Sequence, residues 1–130
     1  MDPDDPTLWW GKGATLLLLD RSQEALHAYE QALRLRPDYP EAWWGKAQAL
    51  IYLSEPDKAL AAYDQALRFH PDDPLLWWAK AEVLLLLARQ NEAVQCLCHA
   101  WHKRQKLPSS FESTLVKAFE ELGCDLKECE

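Results

Sequence analysis

Positive charge is short in this chain: 14 Lys and Arg stand against 21 Asp and Glu, a formal net charge of −7. A protein that grips a nucleic-acid backbone needs clustered Lys and Arg, so that class of partner is excluded. The one basic run, His102-Lys103-Arg104-Gln105-Lys106, reads as a helix C-terminus that complements the macrodipole. Long apolar runs are missing too. Leu16–Leu19 and Leu84–Leu87 fall far short of the roughly 20 residues a bilayer demands, so no membrane span is expected. The opening, Met1-Asp2-Pro3-Asp4-Asp5, is acidic where a secretory leader is basic. Together these predict a soluble, cytoplasmic protein.

Glycine is scarce as well, with 4 residues in the whole chain. Gly11 and Gly13 make a bare Gly-x-Gly, and no phosphate loop, dinucleotide fingerprint, nucleophile elbow or paired-His metal motif occurs. No enzyme and no cofactor are expected. Cysteine is absent before Cys96, and then comes as Cys96, Cys98, Cys124 and Cys129 with His99 and His102 nearby. Residues two apart on a helix point about 200° from each other, so Cys96 and Cys98 cannot chelate one ion, and no metal site is expected. A reducing compartment argues against structural disulfides.

What the chain does have is repetition. Pro6, Pro40, Pro74 and Pro108 fall 34 residues apart, and the first three open the phrase Pro-x-x-Trp-Trp-Gly/Ala-Lys-Gly/Ala. Trp9-Trp10, Trp43-Trp44 and Trp77-Trp78 recur at one offset, with Lys12, Lys46 and Lys80 at another. Pro37 and Pro71 close the first two copies, which share half of their positions. A fixed period of this length means stacked supersecondary units that bury their apolar faces on one another. Within a copy the apolar residues keep helical spacing: Trp43, Ala47 and Leu50, then Ala59, Tyr63, Ala66 and Leu67. Each copy is therefore two antiparallel helices, with Pro56 in the first turn of the second. Ala25, Ala32, Ala59, Ala66, Ala93 and Ala100 mark where two helix backbones approach closely.

These residues resemble the tetratricopeptide repeat (TPR) family. Its pattern of Trp, small, Ala, aromatic, Ala and Pro is met by Trp9, Gly13, Ala25, Tyr29, Ala32 and Pro37, and again by Trp43, Ala47, Ala59, Tyr63, Ala66 and Pro71. Copy three keeps Trp77, Ala81, Ala93 and Ala100 but has Leu97 for the aromatic and Gln105 for the proline, which lets its second helix run to about Lys106. Two departures recur: Lys12, Lys46 and Lys80 replace the family's leucine, and Asp20, Ser54 and Ala88 replace its turn glycine. The resemblance implies an all-α fold, a right-handed α-solenoid of three antiparallel helix-turn-helix TPR units with a C-terminal capping helix. The boundaries are 1–5 as an acidic lead, 6–39, 40–73 and 74–107 as repeats, 108–123 as the cap and 124–130 as a flexible tail. Ser109 and Glu112 have capping-box spacing, and Phe111, Leu115, Ala118 and Phe119 make the cap's apolar stripe.

The family's concave face, carried over position by position, comprises Trp10, Trp44 and Trp78; Ala14, Gln48 and Glu82; Leu17, Ile51 and Leu85; and Leu18, Tyr52 and Leu86. Trp9, Trp43 and Trp77 match the family's structural tryptophan. The second tryptophan of each pair lies about 100° further round the helix and cannot share its pocket. It is either filler between neighbouring first helices or an aromatic binding surface, and the groove's apolar character favours the latter. Lys12, Lys46 and Lys80 either snorkel their ammonium groups to solvent or stand as charges at the groove edge. The family's chaperone-tail carboxylate clamp is excluded, because Trp10, Ala14, Gly45, Leu75 and Ala79 occupy its positions. The expected function is a non-enzymatic protein–protein interaction module, an adaptor or chaperone-like protein that takes an apolar or amphipathic peptide or helix. The alternatives are a homo-oligomer that buries the same surface, or a near-consensus scaffold without a ligand.

Overall fold

The computed structural model describes residues 4–129; the first three residues of the acidic lead and the last residue of the tail lie outside them. Among the described residues seven α-helices follow one another: α1 Pro6–Leu18, α2 Ser22–Leu35, α3 Pro40–Tyr52, α4 Pro56–Phe69, α5 Pro74–Leu86, α6 Gln90–His102 and α7 Ser109–Glu121. No strand occurs among the described residues, and the fold class is all-α, of the α-solenoid kind built from helix pairs.

The prolines set the starts. Pro6, Pro40, Pro56 and Pro74 are each the first residue of their helix, where the missing N–H would have had no partner anyway. Asp5 and Asp73 cap α1 and α5 by accepting from the amides of Thr7 at 2.9 Å and Leu75 at 3.0 Å. Pro37 and Pro71 set the stops by pushing the residue before them out of the helical region: Arg36 has φ −142° and His70 φ −134°.

The hairpin turns share one geometry. Arg21 donates to the Leu16 carbonyl at 2.9 Å and Asp20 to that of Leu17 at 3.0 Å; Glu55 and Ser54, then Arg89 and Ala88, repeat the pair of bonds. This pattern needs a left-handed residue after the helix, a place that favours glycine. Asp20, Ser54 and Ala88 hold it with φ of 60°, 61° and 57°, which costs the alanine about 1 kcal/mol against glycine and the aspartate less. The same turn ends α7, where Gly123 at φ 69° fills the place without strain.

The chain forms two compact units, which meet in sequence at His70 and Pro71. In the first, α1 packs on α2, α2 on α3 and α3 on α4. Its core is small-residue packing around two tyrosines: Ala25, Ala28, Ala32, Ala59, Ala62 and Ala66 are buried with Tyr29 and Tyr63. The Tyr29 ring lies where a Cβ on Gly13 would come within 2.8 Å, and closer still to where one on Gly45 would stand. These two glycines therefore open the space that the wedge fills. Trp43 locks the turn ahead of it by donating its indole N–H to the Pro37 carbonyl at 2.7 Å.

In the second unit α5 packs on α6 and α6 on α7. Leu76, Val83, Leu84, Leu97, Leu115 and Phe119 are buried there, with Trp77 donating to the Pro71 carbonyl at 2.7 Å. Four expectations are corrected here, the one against a structural disulfide among them. Helix α6 ends at His102 and gives way to a 3-10 turn over Arg104–Lys106, so losing the proline did not extend it. Arg104 instead folds back over Trp101, its guanidinium 4.1 Å from the ring centre, and donates to that residue's carbonyl. No capping box forms, because Ser109 already lies inside α7 and Pro108 is the cap residue; Glu112 pairs with Arg104 at 3.6 Å. The segment after α7 is tied down: a 3-10 turn at Leu126–Cys129 packs on α6, and Cys129 is disulfide-bonded to Cys98. The pairing was hidden because it spans 31 residues and depends on α7 reversing the chain.

Candidate functional site

On a first helix, residues at i, i+4, i+7 and i+8 share a face. In α1 that face holds Trp10, Ala14, Leu17 and Leu18; in α3 it holds Trp44, Gln48, Ile51 and Tyr52. Trp10 is half-buried, with its ring edge-on to Tyr39 at 6.4 Å. Trp44 is half-buried and edge-on to Tyr63 at 6.2 Å. At the far end of each helix the face is bare, with Leu18 89% and Tyr52 65% exposed. So each face grades from a seated aromatic to an apolar side chain standing in water.

The second unit shows the same face on α5. Trp78 lies edge-on to Phe111 of α7 at 5.3 Å, while Leu85 and Leu86 are exposed. Here a cleft of about 280 Å³ gathers Trp78, Glu82 and Leu85 with Leu97 of α6 and with Thr114, Lys117, Ala118 and Glu121 of α7. Three residues assigned from sequence are thus brought together. The α7 side of the cleft was missed, although the Phe111–Phe119 stripe already placed that helix against the third hairpin. Burial pushes the Glu82 carboxyl above its usual 4.5, because a carboxylate loses hydration in a half-closed cleft.

Lys12, Lys46 and Lys80 are not at the edge of this face. Each stands over the first tryptophan of its own copy, the ammonium 5.1, 5.4 and 5.6 Å from the ring centres of Trp9, Trp43 and Trp77. Two residues along a helix turn the side chain by about 200°, so the lysine points away from the second tryptophan. Lys12 lines a cleft of about 290 Å³ with Gln23, Glu24 and His27. Lys46 lines one of about 340 Å³ with Glu30, Lys58 and Gln65. The recurring lysine is a cation–π lid on the structural tryptophan.

The histidines do not converge on an ion. His99 stacks on Trp77 with ring centres 4.2 Å apart, and His102 Nε2 lies 2.7 Å from the Cys129 carbonyl oxygen. Among the described residues no three His, Cys, Asp or Glu side chains come together as a metal site. Burial, then the neighbouring His102 and Lys80, lowers the His99 pKa from 6.5. Among the described residues no helix is long and apolar enough to cross a membrane.

The Tetratricopeptide repeat family model matches residues 16–83. No curated protein matches the sequence. Among solved structures, the fold is similar to a crystal structure of MamA, with TM-score 0.75 and 22% identity over 81% of this chain and 61% of that one. It is also similar to a chain of the CopN–Scc3 complex, with TM-score 0.78 and 16% identity over 87% of this chain and 68% of the other. The TPR2AB domain of yeast Sti1 in complex with pHSP90 gives TM-score 0.84 at 17% identity, over 95% of this chain and 48% of that chain. The chain therefore spans about three-fifths of the MamA length and about half of the yeast one.

Proposed function

Because the chain belongs to the tetratricopeptide repeat family, we propose that it is a non-enzymatic protein–protein interaction module, an adaptor or chaperone-like protein. Its partner is an apolar or amphipathic peptide or helix held against the second-tryptophan faces of the first helices. In the first unit that face comprises Trp10, Leu17 and Leu18 with Trp44, Ile51 and Tyr52; in the second it comprises Trp78, Leu85 and Leu86. The observation that carries the reading is the bare apolar end of each face, Leu18 and Tyr52 above all, since apolar surface kept in water at a repeating position marks a contact. Solved relatives of the fold support it, in that a Sti1 domain is held with pHSP90 and CopN with Scc3.

The test is capture of partners from the source organism by the wild-type chain and by Trp10→Ala and Trp44→Ala, with helicity checked for each. Loss of the same captured protein in both variants supports the reading, and unchanged capture overturns it. Light scattering assigns the face to a second copy instead if the chain dimerises as concentration rises and the tryptophan emission shifts to the blue.

A further inference from the structure

The first tryptophans each have a cation of their own. Trp9, Trp43 and Trp77 carry Lys12, Lys46 and Lys80 within 5.1–5.6 Å of the ring centre. Trp78 is different: among the described residues no Lys or Arg stands over it. Its neighbour in the cleft, Glu82, forms no hydrogen bond or ion pair among the described residues. Glu82 is an exposed residue, but partial desolvation of its carboxyl in the cleft pushes its pKa up. The rim holds a second acid, Glu121, and one base, Lys117, four residues apart on α7 and so neighbours on its surface. That leaves the negative charge of Glu82 without an ion-pair partner in a cleft shared with the half-buried Trp78 and with the apolar side chains of Leu85 and Ala118.

We propose that the cleft between α5 and α7 is a subsite for a cationic side chain, an arginine or lysine borne by the partner segment. The alkyl stem lies on Leu85 and Ala118, and the cationic head sits beside Trp78 between Glu82 and Glu121. Charge complementarity favours this occupant: the residues assigned to the candidate face include Glu82 and no base, and the chain as a whole carries −7. The inference rests on the assignment of this face to a partner and adds that the partner is basic as well as apolar.

The experiment uses the full chain labelled with ¹⁵N, with the Trp78 indole resonance identified by its loss in Trp78→Phe. N-acetyl-arginine amide and the uncharged N-acetyl-norleucine amide are titrated at matched ionic strength. The arginine probe is expected to move Trp78 saturably and at least about fivefold more tightly than norleucine. Glu82→Gln should weaken it at least about threefold and Glu121→Gln by less, and its affinity should fall as pH drops into the range where Glu82 protonates. Equal response to both probes, no response of Trp78, or a Glu82→Gln variant that binds as the wild type does would each overturn the subsite. These outcomes are separate from the groove test: arginine that saturates Trp78 while Trp10→Ala and Trp44→Ala leave capture unchanged would keep the subsite and reject the groove.

Discussion

The two units solve the same packing problem with different parts. In the first, two tyrosines wedge between alanine-lined helices, and Gly13 and Gly45 clear the room for Tyr29. In the second, Leu97 stands where the tyrosine was. The rest of that core comes from larger aliphatics, from Leu115 and Phe119 of α7, and from a covalent tie between Cys98 and Cys129. The first two hairpins rely on a repeated close fit, while the third takes extra apolar side chains from a helix outside the 34-residue pattern.

Variants that remove these parts sharpen the contrast. Phe119→Ala should cost the most, about 3–5 kcal/mol, since it empties a fully buried position; a calorimetric loss under about 1 kcal/mol would mean that α7 contributes little. Reduction of Cys98–Cys129, or Cys98→Ser, should cost up to about 4 kcal/mol for a loop of this length. It should also open the tail beyond Gly123 to limited proteolysis. In the first unit Gly45→Ala drives a methyl into the Tyr29 ring and should cost about 1–3 kcal/mol. The same change at Gly11, where nothing lies within 4 Å, should be neutral or slightly stabilising by comparison, as expected of glycine in a helix.

Smaller effects go the other way or depend on pH. Ala88→Gly should stabilise by about 0.5–1 kcal/mol by relieving the left-handed turn, with Asp20→Gly gaining less because Asp tolerates that conformation. Chemical denaturation of the pair would show the ranking. His99 favours its neutral form in the folded state. Its share of stability is fully present above the ordinary 6.5 and is lost as pH falls toward its lower folded value. A proton NMR titration should find His99 below 6.5, and His99→Gln should flatten the acid side of the stability curve; a midpoint at or above 6.5 would reverse the sign.

Much of this was legible in the residues. The 34-residue period placed the starts of the first helices at Pro6, Pro40 and Pro74, and the alanines placed the close approaches. The turn residues Asp20, Ser54 and Ala88 were visible as departures, and their positive φ explains why the place favours glycine. What spacing along one helix could not show was contact between separate elements. The Cys98–Cys129 bond, the stack of His99 on Trp77 and the α7 wall beside Trp78 all depend on chain reversals outside the repeat. Of the two readings left open for the lysines, helical rotation favours the packed one, since it puts Lys12, Lys46 and Lys80 with the first tryptophan of each pair.

The central claim is that each doubled tryptophan is one residue that holds the hairpin and one that meets a partner. Indole N–H resonances of the ¹⁵N-labelled chain, assigned by single Trp→Phe changes, test it directly. The probe is a synthetic basic amphipathic helix with leucines at i, i+3, i+4 and i+7. The account predicts that Trp10, Trp44 and Trp78 move on titration while Trp9, Trp43 and Trp77 stay in place. Movement confined to Trp9, Trp43 and Trp77, or to none of the six, would contradict it.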